Sequence, residues 1–281
     1  YMFWAETVPA GLFFISMWFI PESPRWLIKK GHATRARAIL ARIGGELYSK
    51  ETAIEIESSL ISESRKIKPQ SVLSKSIFPI VLIGVLLALF QQWCGINVIF
   101  LYAEEVFTAA GYSVSDMLFN VMITGSVNLI FTFVALALVD KIGRKKLMLT
   151  GAGGLALIYL IVGTLYFTGS TGLPLLIFVV AAIACYAMTL APVTWVVLSE
   201  IFPNKVRGAA MAVATFALWT GNALLAYFFP IINSRVNASG SFWLFALICV
   251  AGFFYIKAML IETRGKSLEE IEKSLIKKQN P

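Results

Sequence analysis

Near-continuous apolar runs of 17 or more residues recur along the chain, at 2–20, 78–103, 117–139, 147–167, 174–201, 208–231 and 241–261. At 1.5 Å of rise per residue, each run is long enough as a helix to cross roughly 30 Å of hydrocarbon. Lipid offers no water to backbone N–H and C=O groups, so a spanning segment satisfies them within a helix or a closed barrel, and runs of this length predict helices. Polar positions gather between the runs instead of alternating within them, which is not the pattern of a soluble helical domain. The predicted fold is therefore all-α: a polytopic membrane helix bundle with seven spans.

The long polar section, 22–76, separates the first span from the other six. Within it, 34–43 (apolar at Ala36, Ala38, Ile39, Leu40) and 51–67 (apolar at Ile54, Ile56, Leu60, Ile61) read as short amphipathic helices. After the last span, Leu268, Ile271 and Leu275 repeat at helical spacing and predict a short terminal helix. The expected domains are a single span at 1–21, a linker at 22–76, a six-helix bundle at 77–263 and a C-terminal helix at 264–281. The first run is too long for a signal-peptide core, has no basic residue before it, and ends at Pro21-Glu22-Ser23-Pro24-Arg25 instead of a small-residue cleavage site. Because the chain also opens at Tyr1, further spans are expected to precede it.

Composition fits a membrane protein, with 58% hydrophobic and 14% charged residues and a mean hydropathy of +0.77, whereas soluble domains carry about 25% charged residues. The net charge of +8 could point to nucleic acid, but the basic residues are one-sided. Of 24 Lys and Arg, eleven lie between Arg25 and Lys75, four in Lys141–Lys146, two at Lys205 and Arg207, and six from Lys257 to Lys278; only Arg235 falls in the opposite set of loops. The positive-inside rule then places the linker, the 140–146 and 203–207 loops and the C-terminus in the cytoplasm, and membrane topology accounts for the basicity without a nucleic-acid partner. The expected location is the plasma membrane or a bacterial inner membrane. Cys94, Cys185 and Cys249 each fall inside a span with no CxxC or Cys/His spacing, and His32 is the only histidine, so neither a metal nor another cofactor is expected.

Polar residues inside spans are costly and ask for an explanation. The second span holds Gln91, Gln92 and Asn97, which would not share one narrow face of an unbroken helix, but Gly95 is a place for the helix to open. Amides supply both a donor and an acceptor, as sugar hydroxyls do, and they also glue helices together in lipid; the chemistry alone leaves both readings open. Asn128 adds an amide in the third span, Trp195 follows a break expected at Pro192, and Trp219 and Asn222 share a face of the sixth span. An indole can cover the C–H face of a pyranose, or it can simply pack or face lipid.

Five motifs then occur in order: Pro21-Glu22-Ser23-Pro24-Arg25-Trp26-Leu27; Gln91-Gln92-Trp93-Cys94-Gly95-Ile96-Asn97; Asp140-Lys141-Ile142-Gly143-Arg144-Lys145; Glu200-Ile201-Phe202-Pro203 with Arg207-Gly208; and Glu262-Thr263-Arg264-Gly265-Lys266-Ser267-Leu268-Glu269. With them the chain resembles, along its whole length, the sugar porter family of the major facilitator superfamily, which includes the facilitative glucose transporters and the bacterial xylose–proton symporter. The resemblance implies two six-span halves with substrate bound between them, this chain supplying the C-terminal half and the last span of the other. It also implies a central sugar site lined by Gln91, Gln92, Asn97, Asn128, Trp195 and Trp219. Glu22, Arg25, Asp140, Arg144, Glu200, Arg207 and Glu262 would form ion pairs between helix ends that break when the inside opens.

The implied function is transport of a hexose or pentose by alternating access, with proton symport leading and uniport or a transporter-like sugar sensor as alternatives. The expected partners are a monosaccharide, the bilayer and the missing N-terminal half. An intramembrane enzyme finds no nucleophile–base pair in the spans. Leu101, Ala191 and Leu218 depart from the family pattern, where a tyrosine, a glycine and an amide are usual, so the pocket is expected to favour a pentose or deoxy-hexose over glucose.

Overall fold

A computed structural model describes residues 7–65, 74, 77–103, 106, 108, 114–170, 172–203, 206–266 and 270–271. The described residues are overwhelmingly helical and contain no strand. The chain divides into two compact units, Tyr1–Pro69 and Gln70–Pro281.

In the first unit, helix α1 (Thr7–Met17) is apolar except for Thr7 and Ser16 and buries no residue. A turn over 18–20 and the extended Pro21–Ser23 lead into α2 (Pro24–Lys29), which has proline in its first turn, where a missing N–H costs nothing. Helix α3 (Ala33–Arg65) is broken only at Gly45. Across that break Ser49 Oγ donates to the Arg37 carbonyl at 2.7 Å and Arg37 pairs with Glu57 at 3.6 Å, so the arms 33–44 and 46–65 lie side by side over buried Ala36, Leu40 and Ala53. The second arm begins earlier than the amphipathic pattern predicts, because a single residue outside the helical region suffices to turn the chain. The side chains of 59 and 61–65 lie outside the described set, as does most of the predicted terminal helix, of which 270–271 are helical.

The second unit contains α4 (Phe78–Trp93), α5 (Ile96–Leu101), α6 (Val114–Ile142), α7 (Arg144–Phe167), α8 (Leu173–Met188), α9 (Leu190–Ile201) and α10 (Arg207–Met259). Helix α10 is interrupted at Asn237 (φ 59°, ψ 177°), so what the sequence predicts as a loop at 232–240 is helix on both sides of one residue. The arms 207–236 and 238–259, with α4–α5, α6, α7 and α8–α9, supply the six predicted spans. The break in α8–α9 falls at Thr189, not at the predicted Pro192. A proline ring clashes with the carbonyl four residues upstream and leaves it without an N–H, so the helix yields one turn before the proline.

Small residues let the helices approach. A Cβ on Gly252 would overlap the Phe90 ring, and one on Gly163 would overlap Trp243, which seats the 238–259 arm against α4 and α7. The Tyr159, Phe242 and Phe245 rings fill the space between, with centroids 5.7 to 6.4 Å apart. The α4–α5 span is the most enclosed, 67% buried along its apolar window, and α6 the least, at 17%. The 207–236 arm buries one stripe: Ala210, Ala214, Leu218, Gly221, Leu225 and Phe229. The span that carries the three amides is thus the central one.

Candidate functional site

The central site is made by one break. Gly95 adopts φ 94°, a left-handed conformation that side chains with a Cβ resist, and a Cβ there would lie 2.6 Å from the Phe245 ring. The break turns Asn97 back toward α4. Its Nδ2 donates to Gln92 Oε1, Gln92 Nε2 donates to Gln91 Oε1 at 2.7 Å, and Gln91 Nε2 makes a long hydrogen bond of 3.5 Å to the Ala191 carbonyl. Gln91 and Gln92 are buried and Asn97 is half-buried. The result is a neutral relay with both donor and acceptor capacity left over, since each amide has more sites than the relay uses.

Both tryptophans stand on helices bonded to this span. The Ala191 carbonyl that receives Gln91 lies one turn before Trp195, which is 38% exposed. Trp93 Nε1 donates to the Gly221 carbonyl at 2.9 Å, two residues after Trp219, which is 61% exposed. Next to it the Asn222 Oδ1 is buried without a hydrogen bond. Asn128, half-buried on α6, makes no hydrogen bond to the relay; its backbone carbonyl accepts from the Thr132 hydroxyl one turn on. Leu218 is 1% exposed and packs in the core stripe of its helix, so the ground for expecting it to shape a pocket is removed, whereas Leu101 is 55% exposed.

A second cluster gathers helix ends. Arg144 pairs with Glu200 at 3.0 Å and with the exposed Asp140 at 3.0 Å. Glu200 also accepts from the Thr263 hydroxyl at 2.6 Å. The Glu262 carboxylate accepts from the backbone N–H groups of Arg144 at 2.9 Å and Lys145 at 3.2 Å. Helix α7 begins after Gly143 with no side-chain cap of its own, and Glu262 supplies one from another part of the chain, where the helix dipole favours an anion. Gly143 (φ 97°) admits this: a Cβ there would sit 2.7 Å from the carboxylate. Arg207 Nε donates to the Phe202 carbonyl at 3.3 Å, within its own helix junction. Glu22 and Arg25 belong to the first unit.

Sequence reasoning missed Trp93, Thr263 and the carbonyls of Ala191 and Gly221 as partners. A signal existed for Glu262: a helix start without Ser, Thr, Asp or Asn at its cap needs an acceptor from elsewhere.

Helices long and apolar enough to cross a membrane, broken at interior residues beside polar side chains, are an arrangement in which membrane transporters build their sites. The family described as "Sugar (and other) transporter" matches residues 1–275, and the chain belongs to it. It is 38% identical over 275 residues to the arabinose-proton symporter of Bacillus subtilis (96% of this chain, 58% of that protein). Against the D-xylose-proton symporter of Escherichia coli K12 the identity is 37% over 278 residues (97% and 56%). A solved structure of the proton:xylose symporter XylE bound to 6-bromo-6-deoxy-D-glucose superposes with a TM-score of 0.84 at 37% identity, covering 98% of this chain and 58% of that one. The chain thus spans less than two thirds of the length of these relatives.

Proposed function

We propose that this chain forms the C-terminal bundle, with the preceding span and linker, of a proton-coupled monosaccharide symporter working by alternating access. The observation that carries the reading is the amide relay at the Gly95 break. Exchanging an amide–amide bond for an amide–hydroxyl bond keeps the number of hydrogen bonds, so a sugar can enter without leaving a buried polar group unpaired. In this reading Gln91, Gln92, Asn97 and Asn128 bind hydroxyls, with the buried Asn222 carbonyl oxygen as a further acceptor. Trp219 packs against the ring and Trp195 helps close the cavity. The similarity to arabinose- and xylose-proton symporters favours a pentose and proton coupling.

The rest of the relatives' length would supply the second bundle and complete the site. Asp140, Arg144, Glu200 and Glu262, together with Glu22, Arg25 and Arg207, would hold the helix ends in one state and release them in the other. The linker and C-terminus would face the cytoplasm. The domain limits would be 1–21, 22–76, 77–263 and 264–281.

Proteoliposomes carrying the transporter that contains this chain should accumulate radiolabelled xylose or arabinose when the outside is acidified, and a protonophore should abolish accumulation. No uptake of xylose, arabinose or glucose in either condition overturns the reading. Uphill uptake that ignores the protonophore removes the coupling alone. For orientation, Asn237→Cys should react with an impermeant thiol reagent added to intact cells and Lys50→Cys should not.

A further inference from the structure

The first unit carries a cleft of which the transport reading uses only Glu22. It is lined by Arg35, Ala38, Ile39 and Arg42 from one side and by Pro21, Glu22 and Leu27 from the other. The four positions on the 33–44 arm follow the i, i+3, i+4, i+7 pattern, so they form one face. Two cationic side chains therefore stand about 10 Å apart along the helix, by the rise per residue, with an apolar floor between them. Residues 23–45 hold six Lys or Arg and no Asp or Glu. Arg37 is engaged by Glu57 at 3.6 Å, whereas Arg35 and Arg42 enter no ion pair among the described residues. The chain arrives at this cleft from the apolar α1 through Trp18, Phe19 and Ile20, directly before Pro21.

We infer that the cleft binds the headgroup of an anionic phospholipid, with Arg35 and Arg42 on the phosphodiester and the acyl chains running toward the apolar end of α1. The cleft follows directly on the apolar α1, and a basic cleft beside an apolar helix matches the charged headgroup and apolar tails of a lipid better than a soluble phosphate. Basic residues immediately beyond a spanning helix are drawn to anionic headgroups. Glu22 opposes the two guanidiniums, which limits the site to a singly charged headgroup such as phosphatidylglycerol. Under the proposed topology this site lies at the cytoplasmic leaflet, but binding in detergent does not depend on orientation. Its failure is therefore distinguishable from a failure of the topology, which the thiol reagent reports.

Native mass spectrometry of the full chain in detergent, titrated with phosphatidylglycerol or phosphatidylcholine, should show about a tenfold preference for phosphatidylglycerol. Arg35→Ala with Arg42→Ala should remove the preference, and Glu22→Gln should increase it. Arg37→Ala, outside the cleft, should leave it unchanged, and millimolar glycerol phosphate should not compete. Should the double variant unfold, Ala38→Glu tests the same point by placing a carboxylate at an exposed position in the cleft, and it should also abolish the preference. The inference is overturned if the cleft variants keep the preference, if Arg37→Ala lowers it equally, or if glycerol phosphate displaces the lipid.

Discussion

Within the same bundle, the amides at the α4–α5 break and the charges at the ends of α6, α7 and α9 are polar clusters built in different ways. The amide cluster is neutral and almost entirely within one span: three side chains pass hydrogen bonds to one another and end on a single carbonyl of α9. The charged cluster joins separate pieces of chain, with Arg144 reaching Asp140 and Glu200 while Glu262 and Thr263 arrive from beyond α10. Desolvating neutral amides costs far less than desolvating ions, so the interior holds the former and the helix ends, nearer to water, the latter. A neutral relay can trade partners with a ligand at little net cost. A network of ion pairs across helix ends is either made or broken, and so suits a latch.

The largest effect expected is on the shared scaffold. Gly95→Val meets both the positive φ and the Phe245 ring, a penalty of about 3 kcal/mol or more. Thermal unfolding in detergent should fall strongly and sugar binding should vanish. A variant that unfolds at the wild-type temperature shows that the break is not held as described.

Next come the charges at the helix ends, as the proposed latch. Arg144→Ala leaves the partly buried Glu200 with only Thr263, a loss of about 2 kcal/mol by the worth of hydrogen bonds to charged groups. Uptake should drop at least tenfold while equilibrium sugar binding changes little. Equal losses of both would erase the distinction between latch and binding site. Asp140→Asn, at an exposed partner, should have a much smaller effect.

The relay is tested by Gln92→Ala, which removes the middle link and costs about 1–3 kcal/mol of sugar affinity, roughly tenfold, without altering membrane insertion. Unchanged affinity would make the amides helix glue. The smallest effect is predicted for Glu262→Gln. It keeps the shape of the cap on α7 but gives up its charge, worth about 0.3–1 kcal/mol, and should lower the melting temperature slightly while leaving sugar affinity intact.

The sequence alone determined the rough extent of the six apolar runs that are helical in the second unit, because the thickness of hydrocarbon forces each span to be a long apolar run whatever its neighbours; of the first predicted run, 2–20, the described helix is Thr7–Met17. It also determined that Gln91, Gln92 and Asn97 needed a break to work together, since helical geometry separates them and Gly95 stands between. Only the tertiary structure decided that the α8–α9 break falls at Thr189, that Leu218 packs inward while Trp219 stays exposed, and that Glu262 caps a helix more than a hundred residues away in sequence. Composition and periodicity report how apolar a position is. They do not report which neighbour a side chain meets, and in a bundle where nearly every position is apolar that choice rests on where small residues such as Gly163 and Gly252 let helices come close.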